Sequence, residues 1–262
     1  MQNSSSHVDL EGRYSRQILF RGIGQEGQER IRRSRVVLVG CGGLGTNSAQ
    51  MLARAGVGRL TIVDDDYVVM SNLQRQSLFD ETDAAEQTPK AEAARRKLNK
   101  INSEVEVLAA KTRIDKNNVE SYLAEADLVL DGTDNMAIRY LLNDASIKHE
   151  IPWIYGACLA DHGLAMVVMP AGRPCLRCLY EQCPEPGEIE TNETAGILAT
   201  TVSMVAAFQV NEALKILSGQ QDAVNRGLFS FTLWENRFQT LNLDNLRDGC
   251  PCCRDRLFEY LG

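Results

Sequence analysis

The sequence predicts an α/β fold: a doubly wound, Rossmann-like and mostly parallel sheet with a smaller C-terminal half. Three observations lead there. Arg35-Val-Val-Leu-Val39 is a compact β-branched run that ends directly in Gly40-Cys-Gly-Gly-Leu-Gly45. Short apolar strands then alternate with helical stretches to about residue 157. After Pro170 the alternation breaks, and cysteine pairs appear on either side of a long apolar helix.

Residues 1 to 9 are polar, include Ser4-Ser-Ser6, and read as frayed, so the expected division is a flexible 1–12, an α/β region 13–170 and a remainder 171–262 of the same domain. After the glycines, Ala49, Met51, Leu52 and Ala55 recur at helical spacing over Thr46 to Ala55, and Gly56 and Gly58 close the helix. Leu60 to Val63 is the next strand and runs into Asp64-Asp65-Asp66. Thr88-Pro89-Lys90 opens a helix to about Asn102, with Thr88 as cap and Pro89 in the first turn. Val105 to Ala109 reads as strand, Asn117 to Ala126 as helix, Asp127 to Asp131 as buried strand, Ala137 to Lys148 as helix and Trp153 to Ala157 as strand. Beyond Pro170, Pro174-Cys-Leu-Arg-Cys178 is a knuckle, and Cys183 to Thr194, rich in Glu, Pro, Asn and Thr, reads as a mobile surface loop. An apolar helix from about Gly196 to Leu217 stops at Ser218-Gly219. Leu228 to Trp234 and Arg237 to Leu243 alternate as strands, and the tail carries Cys250-Pro-Cys-Cys253.

Composition narrows the function classes. With 262 residues, 44% hydrophobic and 24% charged, the chain is in the ordinary globular range. Lys and Arg number 28 against 35 Asp and Glu, a net charge of -7, so no global field draws nucleic acid or an anionic membrane. Gly196 to Val210 is too short and polar to span a bilayer, and the N-terminus has no apolar signal region, so a cytoplasmic protein is expected. In that compartment eight cysteines point to metal binding or catalysis rather than disulfides.

Gly40-x-Gly42-x-x-Gly45 between strand and helix lets backbone approach a phosphate at the positive helix end, and Asp64 at the end of the next strand is placed for ribose hydroxyls. These features mark an adenine-nucleotide site without separating NAD from ATP. Ser71-Asn-Leu-Gln-Arg75, Lys90 and Thr133-Asp-Asn135 supply the separation, because phosphoryl or nucleotidyl transfer needs cation clamps that hydride transfer does not. Each also has a plain structural reading: Arg75 as a surface charge, Lys90 as a first-turn residue, Asp134 as a helix cap. A cation in the first turn opposes the helix dipole by roughly 0.3–1 kcal/mol, so a nearby anionic ligand accounts for Lys90 better. Cys175-x-x-Cys178 and Cys250-x-x-Cys253 have the spacing of a tetrahedral four-cysteine zinc site, which makes the C-terminal half zinc-tied. Cys252 is also a close neighbour of Cys250, but the two-residue gap to Cys253 suits one metal better.

Arg13-Tyr-Ser-Arg16-Gln-Ile, Gly24-x-x-Gly27-Gln, Val39-Gly-Cys-Gly-Gly-Leu-Gly45, Ala55-Gly-Val-Gly58, Ser71-Asn-Leu-Gln-Arg-Gln76, Asp131-Gly-Thr-Asp-Asn135 and the paired knuckles together resemble the ThiF/MoeB/HesA family, bacterial relatives of the ubiquitin-activating enzymes. The resemblance covers about residues 13 to 253. It implies adenylation of the C-terminal glycine carboxylate of a small ubiquitin-like sulfur carrier ending in Gly-Gly, using ATP and Mg²⁺ in a homodimer. By the same resemblance Gly42 and Gly43 pack on the nucleotide, Asp64 holds the ribose, and Ser71, Asn72, Arg75 and Lys90 belong to the triphosphate side. Asp134 binds Mg²⁺, Asn135 shapes the adenine side, and Arg16 reaches the phosphates of the partner subunit. Family members that bond covalently to their carrier have a cysteine shortly before the Ala-Gly of the long helix; here Thr191-Asn-Glu-Thr-Ala-Gly196 puts Asn192 there, so a separate sulfur donor is implied. The rival readings are a family member acting on another carboxyl or amide, such as a tRNA-modifying dehydratase or a peptide-tailoring enzyme, and a non-catalytic carrier-binding module. An NAD-dependent dehydrogenase leaves Arg75 and the knuckles without a role.

Overall fold

The computed structural model describes residues 12–170, 174–185, 187–188, 190–243, 246 and 249–262. The expected frayed segment 1–9 lies outside the described residues. One eight-stranded sheet runs through the molecule: β1 (Arg35–Val39), β2 (Arg59–Val63), β3 (Glu106–Ala110), β4 (Leu128–Asp131), β5 (Trp153–Leu159), β6 (His162–Val168), β7 (Leu228–Thr232) and β8 (Arg237–Leu241), in the order β3-β2-β1-β4-β5-β6-β7-β8. The first five strands are parallel, with Val36 opposite Leu60 on one side and Leu128 on the other, and the last three join antiparallel.

The helices are α1 (Ser15–Leu19), α2 (Gly24–Arg33), α3 (Gly43–Ala55), α4 (Glu81–Ala85), α5 (Lys90–Ile101), α6 (Val119–Leu123), α7 (Met136–Lys148), α8 (Leu176–Leu179), α9 (Asn192–Ala195) and α10 (Ala199–Leu217). Strand β1 shows why both sheet faces are covered. Val36 and Leu38 face Leu52 of α3, Leu98 of α5 and Ala213 of α10, whereas Val37 and Val39 face Leu123 of α6 and Leu142 of α7. A parallel strand buried on both faces needs this unbroken apolar run. No described helix is long and apolar enough to cross a membrane.

Four expectations change. Strand β6 forms a hairpin with β5 across Ala160-Asp161; Ala160 takes φ +51, a place where glycine or asparagine would have signalled the turn. Thr88 does not cap α5. Val68 N–H donates to the Thr88 carbonyl at 2.9 Å and Tyr67 bridges Pro89, so the segment is extended and Pro89 stands just outside the helix. The long helix starts at Ala199, since Gly196 adopts φ +76, Ile197 bridges Ala160 and Leu198 is extended, and Asn192–Ala195 forms its own helical turn inside the expected loop. Helix α6 is shorter than the predicted Asn117 to Ala126.

Candidate functional site

The strand order reverses between β1 and β4, and a cavity of about 420 Å³ opens there beyond the carboxyl ends of the parallel strands. The glycines make the opening. Gly40 takes φ +89, and a Cβ on it would stand 2.6 Å from the Gly132 carbonyl; a Cβ on Gly45 would stand 2.1 Å from the Gly40 oxygen. Only glycine permits this closeness between the ends of β1 and β4. Gly42 and Gly43 line the cavity where α3 begins without a side-chain cap, which leaves the helix's N-terminal donors to an anion.

Asp64 extends from the end of β2, accepting from Cys41 N–H at 2.6 Å and Asp66 N–H at 2.8 Å. Burial raises its pKa, against the pull of the Cys41 N–H and Lys90. Lys90, at the start of α5, is buried and donates to Asp66 at 2.8 Å. The anion beside it in the protein alone is therefore a carboxylate, an ion-pair partner that the sequence reading did not foresee. Asn72, Arg75 and Gln76 reach the same cavity. Arg75 is half-buried and donates to the Ser71 carbonyl at 3.1 Å, whereas Ser71 itself is exposed and does not line the cavity.

The far wall is built by β4 and α7. Asp134 is exposed at the cavity mouth, and the helix cap is Asn135 instead, accepting from Ile138 N–H at 3.1 Å. Beneath them lies a pair the sequence reading missed. Asp131 is fully buried and accepts from Arg139 Nε at 2.8 Å and from Thr133 N–H and hydroxyl at 2.9 and 2.8 Å. Arg139 Nη2 donates to the carbonyls of both Thr133 at 2.6 Å and Gly156 at 2.9 Å. Burial works against the charge on Arg139, but Asp131, Tyr155 and Asp134 together outweigh it and raise its pKa above the ordinary arginine value. The available signal was Asp131 at a strand end with an arginine one turn past a capping asparagine. Gln76 and Cys158 also line the cavity unforeseen, and burial pushes the Cys158 thiol up to about 12.

Cys175, Cys178, Cys250 and Cys253 come together with all four sulfurs within 4.8 Å of one another. Three of the spacings are 3.9, 3.6 and 3.5 Å, close to the ~3.8 Å edge of a tetrahedron with metal–sulfur bonds of about 2.3 Å. The four residues can hold a metal ion, and an all-thiolate set leaves no open position for chemistry. Cys252 is not one of the four, and its sulfur accepts from Asn143 Nδ2 at 3.2 Å.

Arg16 is exposed on α1 and does not line the cavity of its own chain. Asn192 does line it. Cys183 is half-buried in a separate pocket with Arg177 and Tyr260, and its pKa is raised by burial and then by Glu185. A larger cavity of about 950 Å³ lies over the antiparallel strands between Gly196-Ile197-Leu198 and Trp234, Arg237 and Phe238. Trp234 and Phe238 are strongly exposed.

The ThiF family model matches residues 14–252. The sulfur carrier protein ThiS adenylyltransferase of Bacillus subtilis is 44% identical over 96% of this chain and 74% of its own length. The SAMP-activating enzyme E1 of Haloferax volcanii is 41% identical over 92% of this chain and 88% of its own, and the molybdopterin-synthase adenylyltransferase of Escherichia coli 37% over 92% and 95%. Among solved structures, E. coli MccB with ATP superposes with a TM-score of 0.77 at 22% identity, over 93% of this chain and 74% of that one, a likeness of fold.

Proposed function

Because the chain belongs to the ThiF family, we propose that it uses ATP to adenylate the C-terminal glycine carboxylate of a small ubiquitin-like sulfur carrier ending in Gly-Gly. The observation that carries this reading is the meeting of the glycine loop, Asp64, Arg75, Lys90 and Asp134 in one cavity at the ends of the parallel strands. A carboxylate oxygen attacks the α-phosphorus, the bond to the bridging oxygen breaks, and acyl-adenylate and pyrophosphate result. Both reactants are anions. Cations must offset their repulsion and hold them in line before attack.

On this reading Gly42 and Gly43 carry the phosphates, Asp64 the ribose, Asn72, Arg75 and Lys90 the triphosphate, and Asn135 the adenine side. Ser71 acts through its carbonyl, which orients Arg75. Asp134 offers one exposed carboxylate, which suits Mg²⁺ held mainly by phosphates and water; bound there, the ion would neutralise phosphate charge. Cys175, Cys178, Cys250 and Cys253 hold a structural Zn²⁺. The working protein is a cytoplasmic homodimer in which Arg16 enters the partner's site, with residues 13–170 binding nucleotide and 171–262 the carrier. The exposed Trp234 and Phe238 offer the carrier an apolar face, and the Ala160–Ile197 bridge leads from there toward Cys158 and Asn192 at the nucleotide cavity. Sulfur then comes from a separate donor.

The test is ATP–pyrophosphate exchange with purified protein, MgATP and a Gly-Gly-ended carrier. Exchange should appear, and Arg75→Ala or Asp134→Ala should lower it by about 100-fold or more, as expected for losing a group that stabilises transition-state charge. No exchange with such carriers, together with tight NAD binding, would overturn the reading.

A further inference from the structure

Helix α7 joins the two chemical centres of the molecule. At its start Asn135 caps the first turn at the nucleotide cavity. One turn later Arg139 grips Asp131, Thr133 and Gly156, and so sets where the segment carrying Asp134 stands. One further turn on, Asn143 is fully buried and uses both ends of its amide: Oδ1 accepts from Leu176 N–H at 2.9 Å, and Nδ2 donates to Cys252 Sγ at 3.2 Å. Leu176 lies between Cys175 and Cys178, and Cys252 between Cys250 and Cys253, so one side chain holds a loop of each knuckle. Its neighbours on the helix grip the same region. The Tyr140 hydroxyl lies 2.8 and 2.6 Å from the carbonyls of Tyr180 and Gln182, and Asp144 accepts from Tyr260 N–H at 3.0 Å.

Residues 135, 139 and 143 are spaced by four, so they share one helix face, and the rise from first to last is only about 12 Å. Arg139 and Asn143 are both buried along that face, where close packing transmits displacement instead of absorbing it. A space-filling residue at 143 would need only the right volume, whereas the amide here is engaged at donor and acceptor alike.

We propose that Asn143 is a positioning residue that couples the four-cysteine metal site to the nucleotide pocket through α7, so that each ligand strengthens binding of the other. The inference rests on the reading that the cluster holds zinc and the cavity binds ATP. Metal draws the knuckles together, and through Asn143 they hold the C-terminal half of α7; nucleotide orders the N-terminal half of the same helix. Two ligands that order one element bind cooperatively, and the coupling is reciprocal.

The experiment follows zinc transfer from intact, zinc-loaded protein to a coloured zinc chelator, with and without saturating MgATP. Nucleotide should slow transfer by about 5-fold or more, within the usual range of coupling between sites. In Asn143→Ala the ratio should fall close to one, although the variant still binds nucleotide and carries about one zinc per chain. Asn143→Asp, which keeps the acceptor for Leu176 N–H and loses the donor to Cys252, should give a reduced ratio and serves if the alanine variant does not fold. Equal transfer rates in the parent protein with nucleotide demonstrably bound overturn the proposal alone, as does an undiminished ratio in the variant that folds. Freshly made protein with far less than one zinc per chain overturns the reading of the cluster, failure of metal-loaded protein to bind nucleotide overturns the proposed function, and the coupling falls with either.

Discussion

Replacing Arg139 by methionine removes the charge but keeps much of the volume, and it should be among the most damaging single changes near the cavity. The Arg139 side chain is 7% exposed and Asp131 is at 0%. The substitution takes the 2.8 Å partner from Asp131 Oδ2 and strips a donor from the Thr133 and Gly156 carbonyls. Asp131 Oδ1 keeps both Thr133 donors, but Oδ2 is left with only the 3.3 Å contact from Gly156 N–H. An uncompensated buried carboxylate of this kind costs about 3–5 kcal/mol. At roughly 2–4 °C per kcal/mol for a chain of this size, the melting temperature should fall by about 6–20 °C. Urea unfolding of metal-loaded protein, followed by circular dichroism, measures the loss. Asp131→Asn combined with Arg139→Met should cost less than the sum of the single changes, since the double variant no longer buries a lone charge. A loss under about 1 kcal/mol for Arg139→Met, or strict additivity in the double variant, would refute the account.

Other outcomes follow from the same geometry. Arg16→Ala and Asp134→Ala proteins mixed under conditions of demonstrated subunit exchange should recover about a quarter of parental exchange activity, because random pairing gives one good site in half of the dimers; recovery near zero would place Arg16 in its own chain's site, and an Arg16→Ala protein as active as the parent would deny it a role. Elemental analysis should give about one zinc per chain, and Cys178→Ser should melt at clearly lower temperature, since structural zinc in small peptides has an apparent binding free energy of about 10–16 kcal/mol; unchanged melting would contradict a structural metal. Incubation with MgATP and carrier should give adenylated carrier but no covalent enzyme–carrier species by intact mass, because Asn192 has no ionisable nucleophile and the Cys183 thiol is raised by burial and Glu185. A reducible adduct lost in Cys183→Ser would reverse that conclusion.

What was legible in the sequence was local. A left-handed φ at Gly40 and a Cβ-free contact at Gly45 are demands on residue type, so the phosphate loop is written in the residues themselves. The spacing of each cysteine pair likewise follows from the reach of one short turn, and the apolar runs of β1 and β4 follow from burial on both faces. Strand β6 stayed hidden because Ala160 makes the left-handed turn without a glycine or asparagine to mark it. Lys90 could be recognised as a misplaced cation, but its partner Asp66 lies 24 residues away and is brought close only by the β2–α5 connection. The two-residue gap already favoured Cys253 over Cys252 as the fourth sulfur, but the partner that Cys252 takes instead depends on how the tail packs on α7, where Asn143, 109 residues from Cys252, meets it. The sequence by itself thus determined the chemistry of the groups and the backbone geometry within a few residues of each. Only the tertiary structure decided which distant groups meet and which are buried, because burial and side-chain direction are set by packing between elements far apart along the chain.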